Sequence, residues 1–394
     1  MFDLASIQSA LQQMNLDGWL LYDFRGQNIL AQRVAELAEK KLSRRWFYYV
    51  PASGEPKKLV HAIEPGSLDH LPGKNKAIYR RWQELEKGIE VLVSGAKRVA
   101  MEYSPRNANP YIGRVDAGTI ELVRSFGCDV VASGDLIQLF EAVWDADQEK
   151  SHFEAAKLCR DAYDVAFGFI ADEIRAKGSV LETAVQARIM RHFEDTGMTT
   201  YSPPIVGVGP HSGDPHFDTS PATDQPIRSG SFVLVDLWAK MNRPRSVYAD
   251  YTRVAFVGNS VPEQYAKIFA IVAAARDAGI KKVKDTFAVK KPLLGWEVDD
   301  ATRAVIEKAG YGAQFTHRTG HNIGQEVHGN GAHIDGLETR EDRHIIRRTC
   351  FSIEPGIYLP EFGVRSEVDV YIDANGTVHV TGGEPQTEVH KIAV

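Results

Sequence analysis

Four carboxylates in this chain lie within or beside apolar, strand-like runs, where an ionised acid is costly to keep. They are Asp236 in VLVDLW, Asp250 in YADYTRV, Glu354 in FSIEPGIY and Glu367 in GVRSEVDV. A carboxylate in such a run needs a cation or hydrogen-bond donors around it. The fold must therefore bring these acids to a common partner or give each its own. His321, in HRTGHNIG, falls between the two pairs in sequence. Four carboxylates and one imidazole make an oxygen-rich set, which suits two hard or borderline divalent cations that share bridging carboxylates. Two such cations can hold a hydroxide and polarise a carbonyl, the chemistry of hydrolysis.

Each residue also has an ordinary reading. Asp236 could cap a turn at a strand end, and turn residues precede Asp250. Glu354 precedes Pro355-Gly356 and could be a partly exposed acid at that turn. Side chains alternate along a strand, so Arg365, Glu367 and Asp369 share one face, and Val364, Ser366, Val368 and Val370 the other. Arg365 either orients a carboxylate or grips one on a substrate, or it forms a plain salt bridge to Glu367. Strand geometry leaves both open.

His317, His321 and His328 sit at spacings of four and seven, which a helix would bring to one face. Gly320, Gly324 and Gly329 argue instead for loops and turns that let the backbone run close to a metal or substrate. His216 lies upstream in the Gly/Pro-rich GDPHFD. His61, His70, His152, His192, His344, His379 and His390 are read as ordinary surface or core histidines, with His211 and His333 open.

The chain has two segments, 1–145 and 146–394, in line with 394 residues being too many for one ordinary core. The first opens with a helix carrying Leu4, Ile7, Leu11 and Met14. A strand at 17–24 and a helical stretch through Lys41 follow. Strands are expected at 44–51, 57–63, 88–94 and 97–103, and helices at 80–88 and 116–127, giving an α/β layer. The second opens with a helix over 147–177. Ser179 with Glu182 signals a capping box for a helix to about Asp195. Strand-like runs at 205–209, 231–240 and 248–258 come next. Helices at 262–285 and 298–310 are then followed by strands at 350–359 and 362–372. The order helix, helix, strands thus occurs twice, and each half supplies two of the acids.

A net charge of −6 argues against nucleic-acid binding. No apolar stretch is long enough to span a bilayer, and no basic leader precedes an apolar run at the N-terminus. Cys128, Cys159 and Cys350 lie far apart, as expected of structural thiols in a reducing compartment, so a cytoplasmic protein is expected.

Taken in order, VLVDLW, YADYTRVAFVG, THRTGHNIGQEVH, SIEPGIY and GVRSEVDV resemble the five signature blocks of the pita-bread metallopeptidases. That family includes methionine aminopeptidases, Xaa-Pro aminopeptidases and Xaa-Pro dipeptidases. The two-segment layout resembles the Xaa-Pro branch, so the resemblance spans the chain. It implies an α/β N-terminal domain (1–145) and an α+β pita-bread domain (146–394) with pseudo-twofold halves and a curved, mostly antiparallel sheet. It also implies metal ligation by Asp236, Asp250, His321, Glu354 and Glu367, with Asp250 and Glu367 bridging. Glu354 would in addition shuttle the proton, His216 and His328 would contact substrate, His317 would be a further site histidine, and Arg365 would order the site. The implied reaction is hydrolysis of Xaa-Pro dipeptides by a hydroxide held between two divalent cations. Manganese is favoured by the oxygen-rich set, with cobalt or zinc as alternatives. Xaa-Pro aminopeptidase action on longer peptides is the alternative. The implied assembly is a homodimer, with a proline-containing di- or short peptide as substrate and no nucleic-acid or membrane partner. The loop between Asp236 and Asp250 is longer than is usual in the family, and the segment after His328 lacks its acidic-Pro continuation. Creatinase-like and nucleic-acid-binding relatives lack the acid set.

Overall fold

The computed structural model describes residues 2–37 and 40–394, and the chain divides into two compact units, Met1–Glu141 and Ala142–Val394. The elements of the first unit are α1 (Leu4–Gln13), β1 (Gly18–Asp23), α2 (Ile29–Val34), β2 (Trp46–Pro51), β3 (Lys57–His61), β4 (Asn75–Tyr79), α3 (Trp82–Val93), β5 (Arg98–Met101), α4 (Ala117–Ser125), β6 (Asp129–Ala132) and α5 (Gly134–Glu141). The strands form one mixed sheet in the order β4-β3-β2-β1-β5-β6. Alternation splits its side chains between two cores. Trp19, Leu21, Trp46 and Tyr48 pack on Ile7, Leu11, Leu30 and Ile137, while Leu20, Tyr22, Phe47 and Leu59 pack on Leu85, Ile89, Ile120 and Val123. Helices on both faces explain why runs such as WLLY are continuously apolar.

Three expectations for this unit need correction. Residues 88–93 are helical, because Leu85, Ile89, Leu92 and Val93 fall on one side of α3, which the preceding polar residues begin. The helix after β1 ends at Val34, and the remainder of the expected stretch includes residues 38–39, which lie outside the described residues. β4, β6 and α5 are not among the expected elements; β4 is an edge strand with mostly exposed side chains, so it carries no alternation.

The second unit begins with α6 (Ala146–Lys177), β7 (Val180–Leu181), α7 (Glu182–Asp195), β8 (Met198–Thr199), β9 (Ile205–Val208), β10 (Pro226–Ile227), β11 (Phe232–Met241) and β12 (Ala249–Val257). It continues with α8 (Glu263–Ala288), α9 (Gly295–Lys308), β13 (Asn322–Ile323), β14 (Thr349–Ile353), β15 (Gly356–Tyr358), β16 (Gly363–Arg365), β17 (Val368–Ile372), β18 (Val378–Val380) and β19 (His390–Ile392). Two helices followed by paired strands thus occur twice. Asp145 caps α6 by accepting from the N–H groups of Asp147 and Gln148, and Gly178 closes the helix at φ 81°.

β11 and β12 pair antiparallel with Asp236 opposite Thr252, inside a five-stranded sheet. Val233, Val235, Leu237, Ala249, Tyr251 and Ala255 face the core under α6 and α7. The opposite face carries Phe232, Leu234 and Val254 packed with residues of α8 such as Phe269 and Val272. By the same alternation, Asp236, Asp250 and Thr252 belong to this second face. In the other half, β14 and β17 pair antiparallel with Ile353 opposite Val368. Phe351, Ile353, Val368 and Val370 join the core that includes Ile280, Val283 and Val298 of α8 and α9. Glu354 and Glu367 directly flank the Ile353–Val368 pair. The expected strands 350–359 and 362–372 are each broken, at Glu354-Pro355 and at Ser366-Glu367. Proline cannot continue the ladder, and the breaks free both acids.

Candidate metal centre

Strand register sets the acids and a glycine sets the histidine. Gly320 exchanges hydrogen bonds with Ile334 at 3.0 Å each way, and a Cβ there would lie 2.0 Å from the Ser352 carbonyl oxygen. The next residue, His321, donates its N–H to Ser352 Oγ (3.0 Å), and Ser352 N–H returns a bond to the His321 carbonyl (2.9 Å). Glu354 N–H donates to the Thr319 carbonyl at 2.7 Å. Asp299 of α9 accepts from Thr319 N–H at 2.9 Å, and Arg303 donates to the carbonyls of Phe315 and His317. The histidine segment is thus pinned to both α9 and β14.

Donor atoms of Asp250, His321 and Glu367 lie within 4.8 Å of one another, all buried. His321 Nε2 is 3.5 Å from Asp250 Oδ2 and 3.4 Å from Glu354 Oε1. Its Nδ1 faces the Asn322 carbonyl at 3.2 Å. A carbonyl only accepts, so Nδ1 carries the proton and Nε2 turns its lone pair towards the acids. The Arg365 guanidinium is paired with Asp236 Oδ2, and its Nε lies 3.9 Å from Glu354 Oε2. That Nε donates to Thr252 Oγ1 (2.9 Å), which donates to Glu367 Oε2 (2.7 Å). The simple Arg365–Glu367 salt bridge is therefore replaced by a link through Thr252, while the direct ion pair goes to Asp236. Thr252 was missed by sequence reasoning. Its place two residues after Asp250, on the same strand face, was the available signal.

His317 donates from Nδ1 to the Arg318 carbonyl (2.7 Å), so its Nε2 accepts from Tyr358 OH at 2.7 Å. Tyr358 OH in turn accepts from Arg365 Nη1 at 3.0 Å. The His328 ring stands 4.3 Å from that of His321, edge to face. His216 is exposed on its loop, in the neighbourhood of Asp236, His317 and His328. Of the two histidines left open, His211 pairs with Glu182, and His333 Nδ1 accepts from Asn322 N–H. The expected capping box is also corrected. Glu182 is buried and bonds away from its helix, and Leu181 occupies the N-cap without a side-chain bond.

Burial drives the electrostatics. It raises the carboxyls of Asp250 and Glu367 well above the usual carboxylate range, reinforced by the neighbouring acids. Burial also raises Asp236, against the pull of Arg365, and lifts Glu354 to about 7. The imidazoliums move the other way. His321 is depressed well below its ordinary value by burial and by His328, while burial and the charge of Arg318 bring His328 to about 4. Asp236 Oδ1, Asp250 Oδ1 and Glu367 Oε1 are buried without a hydrogen-bond partner among the described residues. Three orphaned carboxylate oxygens beside an imidazole lone pair fit hard or borderline divalent cations. A further buried group, His152, Cys350 and Asp369, lies behind this cluster. There His152 is already engaged, by the Tyr248 carbonyl at 2.8 Å and Thr381 Oγ1 at 2.9 Å.

Two paired-strand halves around a cluster of acids and one histidine define a class of metal-dependent hydrolase, and comparison with known proteins agrees. The sequence model of metallopeptidase family M24 matches residues 150–374. The putative dipeptidase YkvY of Bacillus subtilis is 30% identical over 285 residues, covering 70% of this chain and 72% of that protein. An Xaa-Pro dipeptidase of Lactobacillus delbrueckii subsp. lactis is 32% identical over 221 residues, 55% of each chain. The crystal structure of dipeptidase PepE from Mycobacterium ulcerans superposes with a TM-score of 0.71 at 23% identity, over 99% of this chain and 97% of that one. The chain belongs to metallopeptidase family M24: it is a hydrolase with the pita-bread fold.

Proposed function

We propose that this metallopeptidase is an Xaa-Pro dipeptidase working with two divalent cations, manganese in the first place. In this reading residues 146–394 are the catalytic domain and 1–145 a shaping or pairing domain of a cytoplasmic homodimer. The observation that carries the metal site is the set of orphaned buried oxygens on Asp236, Asp250 and Glu367 beside the His321 lone pair. The dipeptide reading draws on relatives named dipeptidases and Xaa-Pro dipeptidases. The three cysteines are free and buried, and among the described residues no helix is long and apolar enough to cross a membrane.

Asp236, Asp250, His321, Glu354 and Glu367 would hold the cations, with Asp250 and Glu367 shared between them. When bound, the cations supply Lewis acidity and make a water acidic enough to ionise near neutral pH. Glu354 takes a proton from the attacking water and passes it to the leaving nitrogen. His328, neutral at working pH, donates a hydrogen bond to the oxygen on which negative charge develops. Its position beside His321 suits that role. His216 contacts the substrate from its loop. Both nitrogens of His317 are engaged, so His317 acts through Tyr358, and the two together orient Arg365, which keeps Asp236 in place. A proline leaving nitrogen has no N–H and its bond can be cis, so a dedicated pocket is required.

The deciding experiment compares Ala-Pro with Ala-Pro-Ala, each with added manganese and with chelator. Manganese-dependent cleavage of the dipeptide alone is expected. Preferential cleavage of the tripeptide would make the enzyme an aminopeptidase, and cleavage of neither would refute the proline specificity.

A further inference from the structure

The loop that carries His216 is tied down by one buried carboxylate. Glu182, the first residue of α7, has no exposed surface (0%). It accepts from Val208 N–H at 2.7 Å, from Gln225 N–H at 2.9 Å and from His211 Nδ1 at 2.9 and 3.0 Å. Its own N–H donates to the Gln225 carbonyl at 3.2 Å. One side chain therefore fastens both ends of the segment 208–225, the first of them at two residues, Val208 and His211. Hydrogen bonds to a charged acceptor are roughly twice as strong as neutral ones, so the fastening is firm.

From there the ties lead to the site. His211 stacks on Phe217, the neighbour of His216, with ring centroids 4.1 Å apart. Gly363 N–H donates to Ser212 Oγ at 3.0 Å, and Arg365 Nη1 reaches the Pro215 carbonyl at 3.4 Å. His216 itself is exposed, with its N–H on Asp214 Oδ1 at 3.0 Å, so its placement depends on how its loop is held. Glu182 also lies apart from the candidate ligands: its bonds go to residues of this loop.

We propose that Glu182, with His211, is a positioning residue for substrate binding. It holds segment 208–225 so that His216 meets the substrate, and it takes no part in holding metal. The proposal rests on the reading above that His216 contacts the substrate.

The test uses the full-length enzyme as wild type, E182Q, H216A and the double variant. E182Q keeps one carbonyl oxygen for the Val208 N–H and loses the second acceptor, so it is the variant best able to fold; E182A serves as the stronger change. Hydrogen exchange is read at 206–225 and in β11, together with metal content and the kinetics of Ala-Pro hydrolysis. In E182Q, exchange should quicken in 206–225 and stay unchanged in β11, with metal content unchanged. KM should rise more than kcat falls, lowering kcat/KM by up to about 100-fold. Because both changes act through His216, E182Q should add less than about twofold to the loss in H216A. Multiplied losses in the double variant, lost metal, or unchanged exchange in 206–225 would each overturn the proposal. An H216A enzyme with unchanged kinetics would instead overturn the role given to His216 and the proposal with it. Should Ala-Pro prove not to be a substrate, the exchange data still decide whether Glu182 holds the loop.

Discussion

Asp250 carries the electrostatic problem of the site in a single side chain. Its N–H is satisfied by Asp369 Oδ2 at 2.9 Å, yet its Oδ1 has no donor among the described residues and acids surround it. A cation bound there would offset that repulsion and keep the carboxylates ionised. Asp250→Ala and Glu367→Ala should each abolish turnover and lower metal stoichiometry below two, while the metal-free variants remain at least as stable as the metal-free wild type. Turnover retained in either variant would refute the shared-ligand assignment; metal analysis and thermal melts make the check. His328→Ala should lower kcat by about 100- to 1,000-fold with metal content unchanged. Loss of metal in that variant would mean His328 is a ligand.

Between elements, small side chains and buried histidines set the geometry. Gly320 lets the histidine segment run against β14, and alanine there would collide with the Ser352 carbonyl. Gly320→Ala should destabilise by about 1–3 kcal/mol and weaken metal binding, read from urea midpoints and metal content. α6 is anchored by His152, whose Nδ1 donates to the Tyr248 carbonyl just before β12. Burial lowers this imidazolium from 6.5 to about 4. Between those values the unfolded chain binds the extra proton and the folded one does not, so stability falls as pH drops from about 6.5 towards 4. The slope from this one group approaches about 1.4 kcal/mol per pH unit. Melting curves of His152→Gln should fall less steeply with acid than wild type over that window, and parallel curves would remove His152 from the account.

Across the second unit, the candidate ligands come from β11, β12, the loop before β13, and the ends of β14 and β17, so cations held there link the two halves. Ligand binding to the folded state alone stabilises it by about 2.7 kcal/mol at one hundred times Kd. Chelation should therefore lower Tm, and manganese should restore it in a concentration-dependent way. A Tm indifferent to chelator would argue that the site is not occupied in the folded enzyme.

Much of this was legible in the amino-acid order, because local rules suffice for it. Alternation in GVRSEVDV put Arg365 and Glu367 on one face, the apolar run of VLVDLW marked Asp236 as an acid in need of a partner, the glycines marked HRTGHNIG as loop, and the signature blocks pointed to the family. Other features depended on residues far apart in sequence. Arg365 chose Asp236 over Glu367 because β11 lies across from β16 once the halves close. Thr252 became a bridge only when β12 met that strand. Glu182 carried a local capping signal, but the donors around it come from residues 208, 211 and 225, which folding delivers to a buried carboxylate. Periodicity and turn chemistry act between neighbours in the chain, whereas the partner of a buried charge is chosen by proximity in space after the sheets have packed.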